Sequence, residues 1–169
     1  LEELKEYVDK KTKMIVINNP NNPCGSLIDE PTLRAICEIA EDVGAYVHSD
    51  EAYRGLYIDP KDEVPSVVDI YEKGIAVGSF SKPFGLTGLR LGWITSNEEA
   101  VYKFMLRRDY TTISKSMLDE ALVAEAMPHI GRILERNNGI ARENWKLLDD
   151  WISNEPYLSW VKPKAGSVA

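Results

Sequence analysis

Cysteine is scarce in this chain. Only Cys24 and Cys37 occur among 169 residues, which rules out a disulfide scaffold, and nothing near them has the paired spacing of a metal site, so no metal is expected. A reducing, cytoplasmic compartment is the expectation. Long apolar runs are also missing. The stretch from Gly74 to Phe80 is far shorter than the roughly 20 residues a membrane helix needs, so no membrane partner is expected. Positive charge is in deficit: 20 Lys plus Arg face 27 Asp plus Glu, a net charge of −7, and the sequence pI is near 4.9. Without a basic stripe to release counterions, nucleic acid is not an expected partner either. Small molecules and proteins remain. With 44% hydrophobic and 28% charged residues, the chain has the composition of a folded globule and the length of one domain. It shows no signal-peptide pattern. Leu1 to Val8 reads as the tail of a helix, and Gly166-Ser167-Val168-Ala169 as an apolar turn leading toward a strand. Both ends read as cuts.

The interior alternates strand and helix. Lys13 to Asn18 is a short β-branched run, and the turn residues after it make it a buried strand. Asn18-Asn19-Pro20-Asn21-Asn22-Pro23-Cys24-Gly25 has the composition of a tight loop. Asp29 suits an N-cap and Pro31 a first turn. Leu33, Ile36, Cys37, Ala40 and Val43 then recur at helical spacing up to a stop at Gly44. Ala45 to Asp50 and Gly74 to Phe80 are the next strands, parallel to the first because a helix crosses between strands. Leu91 to Thr95 follows too soon for a crossover and is expected to run antiparallel to its neighbour. Helical patterns cover about 98–110 and 116–126, and Pro128 opens a long charged helix to about Trp151. The fold class is α/β, a mostly parallel sheet flanked by helices.

Candidate chemistry gathers at strand ends. Asn22, Asp50 with Tyr53, Ser79 with Lys82, and Arg90 all lie there or in the turn just after, and in open α/β sheets ligands bind at that rim. An acid and an amine on adjacent strands, with a hydroxyl and a guanidinium for an anion, suit a ligand that carries a phosphate and a basic ring nitrogen. That is the outline of a site for pyridoxal 5′-phosphate (PLP).

Three runs carry a family resemblance: Asn21-Asn22-Pro23-Cys24-Gly25, Ser49-Asp50-Glu51-Ala52-Tyr53, and Ser79-Phe80-Ser81-Lys82-Pro83-Phe84-Gly85-Leu86-Thr87-Gly88-Leu89-Arg90-Leu91-Gly92. In this order they resemble the class I/II aminotransferases, fold-type I PLP enzymes. The resemblance implies an aminotransferase that moves an amino group between an amino acid and a 2-oxo acid. Lys82 is then the Schiff-base lysine and proton shuttle, and Asp50 the partner of the pyridine nitrogen. Asn22 and Tyr53 become donors to the ring 3′-oxygen, and Ser79 and Arg90 ligands of the phosphate. It further implies a fold of the PLP-transferase large-domain type, truncated at both ends. Residues 1–127 would be part of that domain, and 128–169 a long helix leading to a small C-terminal domain. The parent protein is expected to be a homodimer, and the fragment alone inactive. Two relatives of the same cofactor class compete: a carbon–sulfur β-lyase, and a non-enzymatic PLP-binding regulator fused to a DNA-binding module.

Other residues have plainer readings. Cys24 is expected to be a small buried side chain, His48 a packed and satisfied imidazole, and Trp145, Trp151 and Trp160 core and domain-contact residues of the helical half. Gly85 and Gly88 are expected to let the chain turn tightly around Lys82.

Overall fold

The computed structural model describes residues 1–168. A short helix α1 (Glu2–Tyr7) precedes strand β1 (Met14–Asn18). Helix α2 (Glu30–Val43) crosses to β2 (Tyr46–Asp50), and a connection containing two 3-10 turns leads to β3 (Gly74–Ser79). After a compact loop comes β4 (Gly92–Thr95), followed by α3 (Glu98–Arg108), α4 (Met117–Ala126) and the long α5 (Ile130–Asn154). The sheet order is β1-β2-β3-β4, with the first three strands parallel and β4 antiparallel to β3.

Local chemistry sets the ends of α2. The Asp29 carboxylate accepts from the Thr32 N–H at 2.9 Å, Pro31 occupies the first turn, and Gly44 closes the helix at φ 74°. The apolar stripe of α2 (Leu33, Ile36, Cys37, Ala40) packs on the sheet face formed by Ile15, Val47 and Ala76, together with Val67 and Tyr71 from the β2–β3 connection. Burying a side chain the size of Leu33 or Ile36 contributes about 1.5–3 kcal/mol. Desolvation in this core raises the Cys37 thiol to about 11, so it stays protonated and packs as an apolar group. The other face of the sheet leaves Met14, Val16 and Ile94 exposed.

Three expectations need correction. Cys24 is exposed, because its loop turns the side chain outward over the buried Gly25. Trp151 is exposed on α5, whereas Trp145 and Trp160 pack together with ring centroids 6.3 Å apart. The long helix starts at Ile130, after Pro128 has shaped a separate 3-10 turn over Met127–His129. Near the C-terminus, Ala165 forms an antiparallel bridge with Tyr57 and the chain bends at 166–167, as the turn expected there requires, while Ala169 lies outside the described residues. No described helix is long and apolar enough to cross a membrane.

One buried carboxylate organises the connection after β2. Glu51 is 8% exposed, and its Oε1 accepts from the Ser66 hydroxyl and the Val67 N–H, each at 3.0 Å. Arg54 stands 3.7 Å from its other oxygen. Burial pushes this carboxyl above its ordinary value, against the pull of these donors and of Arg54. The folded state therefore keeps the Glu51 proton to higher pH than the unfolded chain, and this group lowers stability as pH rises through that window. We expect Glu51→Gln, which keeps the acceptor, to lose less thermal stability than the unsubstituted chain as pH is raised above the ordinary carboxylate range in melting curves. Glu51→Ala should cost about 1–3 kcal/mol in denaturant titration, because it strands two buried donors.

Candidate active site

The parallel register brings the ends of three strands to one level. Asn18 pairs with Asp50, and Asp50 with Val77, so Asp50 shares a sheet face with Ser79 two residues further along β3. Ser79 is opposite Gly92 at the start of β4. The loop between these strands begins and ends at the same rim, closed by the Phe80 N–H on the Leu91 carbonyl at 3.2 Å. Lys82 and Arg90 both lie on that loop.

Asn22 and Tyr53 are brought into direct contact. The Asn22 carboxamide donates to the Tyr53 hydroxyl at 3.0 Å across 31 residues of sequence. Asn18 makes this possible. Its Nδ2 donates to the Asp50 carbonyl at 3.0 Å, and its Oδ1 accepts from the Asn22 N–H at 2.8 Å. The Asn-Pro loop is thereby tied to the end of β2. The Lys82 amine lies over the buried Tyr53 ring, 5.7 Å from its centroid. Lys82 is exposed and borders a cavity of about 390 Å³ lined also by Leu56, Asn137, Asn144, Trp145 and Gly166.

Asp50 is half-buried, and its Oδ1 accepts from the Ala52 N–H at 3.0 Å. Its Oδ2 has no hydrogen-bond donor among the described residues. Ser79 Oγ accepts from the Ser81 N–H at 3.0 Å, which leaves its own proton to donate. Arg90 is exposed and bonds the Thr87 carbonyl at 3.1 Å, making no hydrogen bond with the other five candidates. Its backbone is in the left-handed region, φ 50°, alone among the described non-glycine residues. Such a residue stores about 1 kcal/mol or more of strain, and positions of this kind cluster at ligand clamps.

The sequence reading assigned the tight turn to Gly85 and Gly88. Gly85 takes it, at φ 68°, but a side chain at Gly88 would meet nothing within 4 Å. Arg90 makes the second left-handed turn instead. The loop rests on aromatics. Phe80 packs edge-on against Trp93 at 4.9 Å and near Phe84 at 5.8 Å, and a Cβ at Gly78 would collide with the Trp93 ring. His48, on the face of Asp50, is half-buried with Nδ1 unpartnered rather than satisfied, because neighbouring strands supply no side-chain donor there.

Asn18 and the α5 residues that reach this rim were not singled out by the sequence reading. The only signal for Asn18 was a fourth asparagine where the strand ended. Asn138 is 8% exposed and accepts from the Tyr57 N–H at 3.1 Å, while Arg142 Nε donates to the Tyr57 and Ile58 carbonyls at 3.2 and 3.0 Å. Two asparagines in mid-helix, where that residue type is disfavoured, were the available signal.

As donors and acceptors the set is coherent. A carboxylate suits a protonated ring nitrogen, and the amide–phenol pair suits a phenolic oxygen. A hydroxyl with a guanidinium suits a phosphate, and an amine suits an aldehyde. These are the functional groups of PLP, so the residues present fit that cofactor.

Comparison with known proteins agrees with this chemistry. The family model "Aminotransferase class I and II" matches residues 1–168. An aspartate aminotransferase of Pyrococcus horikoshii is 39% identical over 96% of this chain and 42% of its own length. An aromatic-amino-acid aminotransferase of Thermococcus litoralis is 31% identical over 97% of this chain and 43% of its own. The crystal structure of a PLP-dependent aminotransferase from Streptococcus suis superposes with a TM-score of 0.92 at 42% identity, over 96% of this chain and 42% of that one. The chain thus spans about two fifths of the length of these relatives. With the family matched from end to end and the strand-end residues gathered at one rim, the chain belongs to the class I and II aminotransferases.

Proposed function

We propose that the protein to which this chain belongs is a PLP-dependent aminotransferase exchanging an amino group between an amino acid and a 2-oxo acid. The observation that carries this reading is the Lys82 amine over Tyr53, whose hydroxyl is hydrogen-bonded by Asn22, beside a carboxylate with a free oxygen at the end of β2. The cofactor, when bound, supplies an aldehyde to hold the substrate amine and a ring to accept electrons. The chain's residues do the rest. Asp50, anchored through Oδ1 by the Ala52 N–H, would hold the proton on the ring nitrogen. Asn22 and Tyr53 would orient the ring through its phenolic oxygen. Ser79 and Arg90 would hold the phosphate, Arg90 by a fork matched to its oxygens. The Lys82 amine would hold the cofactor by its aldehyde and would carry a proton at its Nζ.

The reading extends to a homodimer in the cytoplasm. Helices α3 and α4 and the loop between them expose Met105, Leu106, Ile113, Met117, Leu118 and Leu122, large apolar side chains of the kind that mark protein–protein contact. Both thiols are free, in keeping with a reducing compartment.

Three measurements test the proposal. Incubation with PLP, borohydride reduction and peptide mapping should place the dominant adduct on Lys82 and lose it in Lys82→Ala; labelling spread over the other lysines would sink the reading. Arg90→Gly relieves the left-handed strain, so its melting temperature should hold while affinity for PLP falls about tenfold or more in fluorescence titration. Light scattering should give a dimer mass, and Leu118→Asp with Leu122→Asp should shift it toward the monomer.

A further inference from the structure

The centre of α5 is built from three poor helix formers in a row, Asn137, Asn138 and Gly139. A helix that merely packed would gain nothing from them, and the two asparagines point to different loops. Asn138 Nδ2 donates to the Gly55 carbonyl at 2.8 Å while its Oδ1 accepts from the Tyr57 N–H. Asn137 Nδ2 donates to the Pro83 carbonyl at 2.9 Å, 54 residues away in sequence. Pro83 immediately follows Lys82, and Gly55 lies two residues after Tyr53. Gly85 permits the approach, since a Cβ there would stand only 3.3 Å from Asn137 Nδ2.

These bonds are more than helix docking needs. Arg142 already fastens α5 to the Tyr57 and Ile58 carbonyls, and Leu134 packs on Gly55. Asn137 instead hydrogen-bonds the lysine loop, whose Pro83 packs near Gly55 but makes no other hydrogen bond to α5 among the described residues. Adjacent side chains on a helix diverge by about 100° from a rigid backbone, so one helix can hold two loops at a set separation.

We propose that Asn137 and Asn138 are positioning residues, a brace on α5 that fixes the Lys82 loop relative to the Tyr53 loop and so sets where the Lys82 amine sits over the Tyr53 ring. This rests on Lys82 being the amine that holds the cofactor. With the carbonyl after Lys82 anchored, the side-chain torsions are the main freedom left to the amine. Loss of the anchor lets the loop drift, and a displacement of about 1 Å at a reacting group can cost about a hundredfold in rate.

The test compares Asn137→Ala and Asn137→Asp, which lack the donor, with Asn137→Gln, which keeps one. In the cofactor-free protein, nuclear Overhauser contacts between the Lys82 side chain and the Tyr53 ring should vanish in the first two and persist in part in the third. At sub-saturating PLP, borohydride trapping at Lys82 should fall about tenfold in Asn137→Ala and Asn137→Asp. The melting temperature should drop by only about 2–4 °C, the effect of one hydrogen bond. Should Asn137→Ala not fold, the Asp and Gln variants decide between them. Unchanged Overhauser contacts and trapping in both donor-less variants would overturn the brace. Failure of the unsubstituted protein to be trapped at Lys82 would overturn the role of Lys82 instead, and the Overhauser contacts would still decide the brace.

Discussion

Three parallel strands ending at one level are the constraint on which the rest of this molecule depends. Because β1, β2 and β3 run the same way and pair Asn18 with Asp50 and Asp50 with Val77, groups far apart in sequence are delivered to a single rim. The antiparallel β4 completes the arrangement, since it begins opposite Ser79 and returns the chain, with Arg90, to the rim that Lys82 has just left. Packing of α2 on one sheet face holds that level. The register follows from it, because a one-residue slip would turn Ile15, Val47 and Ala76 away from Leu33 and Ile36.

Above the rim, rigidity comes from polar contacts. Loops cannot supply their own ladders, so their backbone groups are satisfied by side chains from elsewhere: Asn18 on one side, Asn138 and Arg142 on the other. The segment after α5 adds a third tie, with the Lys164 and Ala165 N–H groups on the Gly25 carbonyl at 2.8 and 3.1 Å and the Gly166 N–H on the Leu56 carbonyl at 2.9 Å. The loop carrying Asn22 and the loop carrying Tyr53 are thus held by the same short stretch of chain. Each such bond contributes about 1 kcal/mol net, but several together fix geometry in a way apolar contact does not.

At this rim the chain departs from its usual economy. Arg90 holds a backbone conformation that glycine would adopt without strain, Asp50 is half-buried at the end of β2, and Lys82 borders a cavity. Behind the rim, the buried network around Glu51 supports the connection from which Tyr53 and Arg54 project.

Much of this was legible in the sequence. The strand–helix–strand order, the capping of α2 by Asp29 and Gly44, the antiparallel β4 and the placement of Asn22, Asp50, Tyr53, Ser79, Lys82 and Arg90 at or just beyond strand ends all follow from local patterns: period, cap chemistry and loop length. The sequence alone determined those features because each is decided by residues within a few positions of one another. The contacts of Asn22 with Tyr53, Asn137 with Pro83 and Asn138 with Gly55, the outward turn of Cys24, the exposure of Trp151 and the left-handed Arg90 were decided only by the tertiary structure. They join segments 31 to 83 residues apart or depend on which face a neighbour covers. No local pattern records either, because a hydrogen bond between two loops becomes possible only once the sheet has set where both loops begin.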